Sequence, residues 1–141
     1  MEVDRNGLEV LGRAECLRLL ALATFGRIGF TSGALPTVLP VNFHLVDGRI
    51  VVRTSRGSKL DAALRNAVVA FEVDDFDPVR HAGWSVAVTG VAAEVSAPAD
   101  LEEAHEQPLG RWASGNAEAV LAISTEFISG RRIASAGLVR H

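Results

Sequence analysis

TVLPVNFHLVDGRIVVRTSRGSKLDAALRN, residues 37–66, is the stretch that decides the fold. Through residues 37–46 apolar and polar positions alternate. Leu39, Val41, Phe43 and Leu45 fall on one face and Asn42 and His44 on the other, the two-residue period of a strand. Asp47-Gly48 follows directly, a pair that favours a two-residue hairpin because both positions tolerate left-handed backbone. Residues 49–54 return as a second strand, Ile50 and Val52 alternating with Val51 and Arg53. The spacing then turns helical over residues 58–66. Ser58 is placed to cap that helix, Asp61 suits its first turn, and Leu60, Ala63 and Leu64 form its apolar stripe.

Upstream, residues 13–23 read as a helix with Cys16, Leu19, Leu20 and Ala23 on one face and Arg13, Glu15 and Arg18 left for solvent. Gly26 ends it. Residues 27–31 form a short strand, and Ser32-Gly33 a hairpin turn. Downstream, residues 68–74 return as a strand, an Asp-rich loop with one proline crosses over, and residues 84–95 carry the longest strand pattern present. Residues 98–106 read as a helix and 108–116 as a loop. A last strand, 119–128, ends at Ser129-Gly130. About six strands, mainly hairpin-connected, with short flanking helices indicate a mainly β (α+β) protein, an antiparallel barrel closed wholly or in part. Small barrels fill their interior with side chains, which sends a ligand to a rim or a subunit boundary.

At 141 residues the chain is read as one domain, 1–141. A net charge of −3 gives no general attraction to nucleic acid, so no nucleic-acid partner is expected. No apolar run approaches the ~20 residues that span a bilayer, and the first residues lack a signal-peptide pattern. No membrane partner and a cytoplasmic location are expected. The single cysteine, Cys16, excludes an intrachain disulfide and reads as a buried small hydrophobe. The four histidines show no ligand spacing, so no metal is expected.

The chemistry concentrates in RTSRGSKL, residues 53–60. A strand delivers Arg53, Thr54 and Ser55 to its end, Gly57 permits a tight turn, and Ser58-Lys59 opens a helix. Free N–H groups, hydroxyls and cations converging there suit a terminal phosphate. A solvated strand–turn–helix with an ordinary cap fits the same residues, and the two readings stand side by side.

Four blocks together, TVLPVNF (37–43), DGRIVVRTSRGSKLDAALRN (47–66), VVAFEVDDFD (68–77) and GWSVAVTGVAAEV (83–95), resemble the pyridoxamine 5'-phosphate oxidase-like FMN-binding split-barrel family, on its flavin-nucleotide-binding and nitroimidazole-resistance-related branch. ISGRRI (128–133) is similar to that branch's closing motif. The resemblance implies a split β-barrel, FMN as cofactor, and a homodimer with two flavins at its boundary. It implies that the backbone of Val38, Leu39, Pro40, Val41 and Asn42 lines the isoalloxazine ring. Arg53, Thr54 and Ser55 would approach the ribityl chain and phosphate, and Ser58 and Lys59 would hold the phosphate. Trp84 and either Arg131 or Arg132 would reach the site from the other subunit. The implied activity is that of an oxidoreductase acting on a small electrophilic molecule. A non-catalytic flavin-binding or sensing protein and a deazaflavin-dependent reductase are the alternatives on the same fold. The chain has no tyrosine, whereas the vitamin-oxidising members build their substrate site partly from tyrosine. No residue in these motifs stands out as an acid or base, so no catalytic side chain is named.

Overall fold

In the computed structural model, which describes residues 2–96 and 118–133, nine strands and two helices follow in order. They are β1 (Glu9–Leu11), α1 (Arg13–Leu22), β2 (Phe25–Ser32), β3 (Leu35–Asn42), β4 (His44–Val46), β5 (Arg49–Ser55), α2 (Lys59–Leu64), β6 (Ala67–Asp77), β7 (Ala82–Glu94), β8 (Glu118–Ile123) and β9 (Phe127–Ile133). Every pairing is antiparallel, and the strand order is β3-β2-β6-β7-β8-β5-β4, with β9 on β7 and β1 on β9. The two ends of that path, β3 and β4, are separated in sequence by Phe43 alone. The sheet therefore curls until its ends meet, which makes it the split barrel expected.

The alternation read at residues 39–45 survives: Val41 and Phe43 lie in the main core and Leu39 and Leu45 pack against it. Asp47 and Gly48 both take positive φ, as a hairpin with these residues requires. The other early hairpin turns on Gly33 and Ala34 (φ 56° and 68°), one residue later than Ser32-Gly33. α1 buries Cys16, Leu19 and Leu20, and α2 begins at its Ser58 cap, whose side chain accepts from the Asp61 N–H. A second, smaller cluster of Val46, Val51, Val95, Val120 and Ala122 lies apart from the main core, on the other side of β4, β5 and β8.

Four sequence readings need correction. Gly26 does not end α1 but lies inside β2, where an added Cβ would strike the Phe71 ring and crowd the Glu72 carbonyl oxygen. The Asp-rich stretch is not a loop, because β6 continues to Asp77 in register with Ala82. The segment 37–46 is two strands, since the chain leaves β2 for β5 at Phe43. Residues 119–128 are likewise not one strand. β8 pairs with the far end of β7 through Ala92, Ala93 and Glu94, and β9 pairs with Gly83 through Thr89. The chain breaks over residues 124–126 between them, and Ser129-Gly130 lies within β9. With β1, these splits account for the strands beyond six. The helix expected at 98–106 and the loop at 108–116 lie outside the described residues.

Candidate functional site

β4 and β5 pair His44 with Val51, and continuing that register would set Asn42 against Arg53 and Pro40 against Ser55. Instead β3 pairs with β2, Pro40 opposite Arg27. β3 and β5 thus diverge beyond Phe43 and leave two strand edges facing one wedge. Proline has no N–H for a ladder, so Pro36 and Pro40 turn their nitrogens to this open side. Residues of the same parity share that direction, which aims the Val38 and Asn42 N–H groups into the wedge and leaves only a carbonyl at Pro40. Val38 is exposed, Leu39 and Asn42 partly so, and Val41 is buried. The five residues expected to line a ring are thus one continuous edge.

The turn from β5 to α2 closes one end of the wedge. α2 packs against β2, β5 and β6, with Leu64 fully buried and Leu60 against the core. The centre of the turn is Asp61, a buried carboxylate. Its Oδ1 accepts from the Thr54 hydroxyl at 3.0 Å and its Oδ2 from the Gly57 N–H at 2.9 Å. Arg65 binds both oxygens, at 2.8 and 3.0 Å. Burial alone would raise this carboxyl, but the bonds from Gly57, Arg65 and Thr54 outweigh it and hold Asp61 below the ordinary carboxylate value. Arg65 also pairs with Glu94, and Glu94 with Arg56 at 2.8 Å. The hydrogen bonds from Arg56 and then Arg65 lower the Glu94 carboxyl as well.

The expected site residues therefore divide. Thr54 points inward, 2% exposed, with its hydroxyl committed to Asp61. The Ser55 carbonyl accepts from the Ser58 N–H. Ser58 spends its oxygen on the cap and keeps its own O–H to donate. Arg53 lies 3.9 Å from Glu118, its side chain mostly buried. Lys59 is exposed and has no ion-pair partner among the described residues. The arrangement offers a positively charged turn with an exposed ammonium and a spare hydroxyl, held from beneath by a buried carboxylate. Sequence reasoning placed Asp61 only in the first turn of a helix. The Ser58-x-x-Asp61 spacing of a capping box was the signal for more, whereas nothing local foretold Arg65 or Glu94 as its partners.

Trp84 and the C-terminal arginines lie elsewhere. Glu94, beside the turn, and Trp84 are ten residues apart on β7, on the order of 30 Å along a strand. Trp84 borders a 450 Å³ cavity with Leu19, Phe25, Asp74 and Asp75, and a 230 Å³ one with Phe76 and Arg131. Arg131 is tied to Asp4 at 2.9 Å, and Arg132 to Glu15 at 2.7 Å. One chain does not bring these residues to the turn. The outward faces of β2, β3, β6, β7 and β9 meet in a patch with exposed Val38, Val68, Val91 and Phe127 around a floor of Gly29, Ala70 and Thr89.

A family model for pyridoxamine 5'-phosphate oxidase matches residues 12–132. The chain belongs to this family. The resemblance read from the four sequence blocks is thereby borne out. The chain is 44% identical over 128 residues to the uncharacterized protein Rv0080 of Mycobacterium tuberculosis, a match covering 87% of this chain and 84% of that one. Among solved structures, the FAD binding protein from Mycobacterium smegmatis is 36% identical, with a TM-score of 0.79, covering 89% of this chain and 98% of that one. An FAD-binding protein from Mesorhizobium loti, 21% identical, shares the fold with a TM-score of 0.69, over 89% and 96% of the two chains. No helix among the described residues is long and apolar enough to cross a membrane.

Proposed function

We propose that the chain is a flavin-nucleotide-binding oxidoreductase that acts on a small electrophilic molecule at a homodimer boundary, with FMN the smallest ligand that satisfies the site. The observation that carries this reading is the charged turn at residues 53–59, standing at the mouth of the β3–β5 wedge. Lys59 and the Ser58 hydroxyl supply charge and a donor for a phosphate, and Arg53 adds positive potential behind them. The N–H groups of Val38 and Asn42 meet acceptors on a planar ring laid along β3. Support for a flavin also comes from the related M. smegmatis structure, an FAD binding protein. A flavin bound there supplies hydride transfer, and the protein supplies orientation and access. In this reading a second copy packs on the apolar outer sheet face and brings its own Trp84 and Arg131 to the first copy's turn. The exposed Val38, Val68, Val91 and Phe127 side chains on one sheet face support this packing.

Titration of the apo-protein with FMN, FAD and riboflavin tests the site. FMN is expected to bind near one per chain and more tightly than riboflavin. Lys59→Ala should cost about 1.5–3 kcal/mol of FMN affinity, the range for a charged hydrogen bond, and leave riboflavin unaffected. Equal affinity for FMN and riboflavin would overturn the assignment. FAD binding tighter than FMN would keep the turn and change the cofactor. Light scattering on the same samples should report a dimer, and a flavin-loaded monomer would end the shared-site model.

A further inference from the structure

We infer that Asp61 is the positioning residue of the phosphate turn: its buried carboxylate fixes the backbone at Thr54 and Gly57 and its N–H holds the Ser58 side chain, which sets where Ser58 and Lys59 stand, although it touches no ligand itself. The inference rests on the flavin-nucleotide reading above and names the residue that would make that site selective for a phosphate.

Four ties converge on this one residue, and each fixes a different part of the turn. The Thr54 hydroxyl anchors the end of β5. The Gly57 N–H anchors the apex, where φ is +80° and the backbone must reverse. The Asp61 backbone N–H, bonded to Ser58 Oγ at 3.0 Å, fixes the rotamer of the serine and so the direction in which its O–H is offered. Arg65 closes the set from the far end of α2. Lys59 leaves the chain between these fixed points, so its ammonium starts from a defined place.

The ion pairs that reach this carboxylate also sort the cations. Arg56 lies at the turn but is drawn by Glu94 into a chain of alternating charges, Arg56, Glu94, Arg65 and Asp61. Arg56 thereby fastens the turn to the end of β7 and is not the group offered to the wedge. A carboxylate whose side chain is only 5% exposed and that already accepts four hydrogen bonds from three donor groups has no capacity left for a ligand. Its negative charge beneath the turn is balanced by Arg65, which leaves the field of Lys59 uncancelled at the surface. An amide at position 61 would accept at one atom only and would set an N–H group against the existing donors. The turn would then lose its geometry, with Lys59 and Ser58 still present.

The test is the ratio of FMN to riboflavin affinity in the full chain, with the phosphorus NMR resonance of bound FMN as a second readout. Asp61→Asn should lower FMN affinity about tenfold or more, leave riboflavin affinity unchanged, and shift the phosphate resonance. A role confined to stability would lower the melting temperature and leave both the ratio and the resonance intact, which would overturn the inference. Thr54→Val keeps the shape of its side chain and removes one tie. It should lower the ratio about threefold, and it carries the test if Asp61→Asn does not fold. An unchanged ratio in Asp61→Asn, or in Thr54→Val where that variant stands in, alongside a ratio abolished by Lys59→Ala, would refute the positioning role and leave the flavin reading standing. A wild-type protein that binds FMN and riboflavin equally would remove both.

Discussion

Replacing Phe43 with alanine removes the side chain on which the closure of the barrel turns. Phe43 is fully buried, and its ring meets Phe71 edge-on with centroids 4.8 Å apart and planes 71° apart. Its N–H donates to the Thr24 carbonyl at 3.1 Å, at the point where the chain leaves β2 for β5. An aromatic side chain buries about 150 Å² or more, and at ~25 cal/mol per Å² its loss costs about 4 kcal/mol. The ~3–5 kcal/mol typical of Phe→Ala in cores agrees with that figure, and the edge contact with Phe71 adds about 0.5–1.5 kcal/mol beyond the area contribution. Urea unfolding of the apo-protein, at one fixed protein concentration because a dimer's midpoint depends on it, measures the loss. Phe43→Ala should lower the stability by about 4 kcal/mol with an unchanged denaturant slope. Val79→Ala, at a position 87% exposed, should stay within about 0.5 kcal/mol of wild type. A loss below about 1.5 kcal/mol for Phe43→Ala would mean that the Phe43 ring is not packed against Phe71 in the core where the barrel closes.

Two further outcomes follow from the sheet. Gly90→Ala would drive a Cβ into the Ser124 carbonyl oxygen at the break between β8 and β9, and should cost about 1–3 kcal/mol in the same unfolding assay. A neutral result would place that break elsewhere. Glu72 shares Arg27 with Asp74 on the outer sheet face. Burial first, and the neighbouring Asp74 carboxyl second, push Glu72 from 4.5 up to about 7 against the pull of Arg27. A raised carboxyl favours the folded state while it is protonated. Its contribution is complete below pH 4.5 and is lost as pH rises through about 7. Melting curves should therefore show Glu72→Gln gaining on wild type between pH 4.5 and 8, and a pH-independent difference would refute the shift.

Short-range chemistry made much of this protein legible from its sequence. Asp47-Gly48 admits few conformations other than a tight hairpin, the Ser58 cap needs only Asp61 three residues on, and the apolar face of α1 repeats within the helix. Four motif blocks in order were enough to name a family that the match over residues 12–132 confirms. Strand limits set by distant partners were another matter. No local property of residues 119–128 demands an interruption. The break arises because β7 is long enough to pair with β9 along one part and β8 along another, with Gly90 making room for the Ser124 carbonyl. Phe43 likewise reads as one more alternating apolar residue until β2 and β5 compete for the strand around it.

The candidate site divides along the same line. Sequence supplied the list of residues in the turn, since a strand end, a glycine and a cap adjoin in the chain. Only the fold decided that Thr54 faces inward to Asp61, that Arg56 is held by Glu94 from across the sheet, and that Trp84 lies at the far end of β7 from the turn. Those are outcomes of side-chain direction and of distances between residues remote in sequence. Periodicity reports which face a residue occupies, but what waits on that face is fixed by the closing of the barrel.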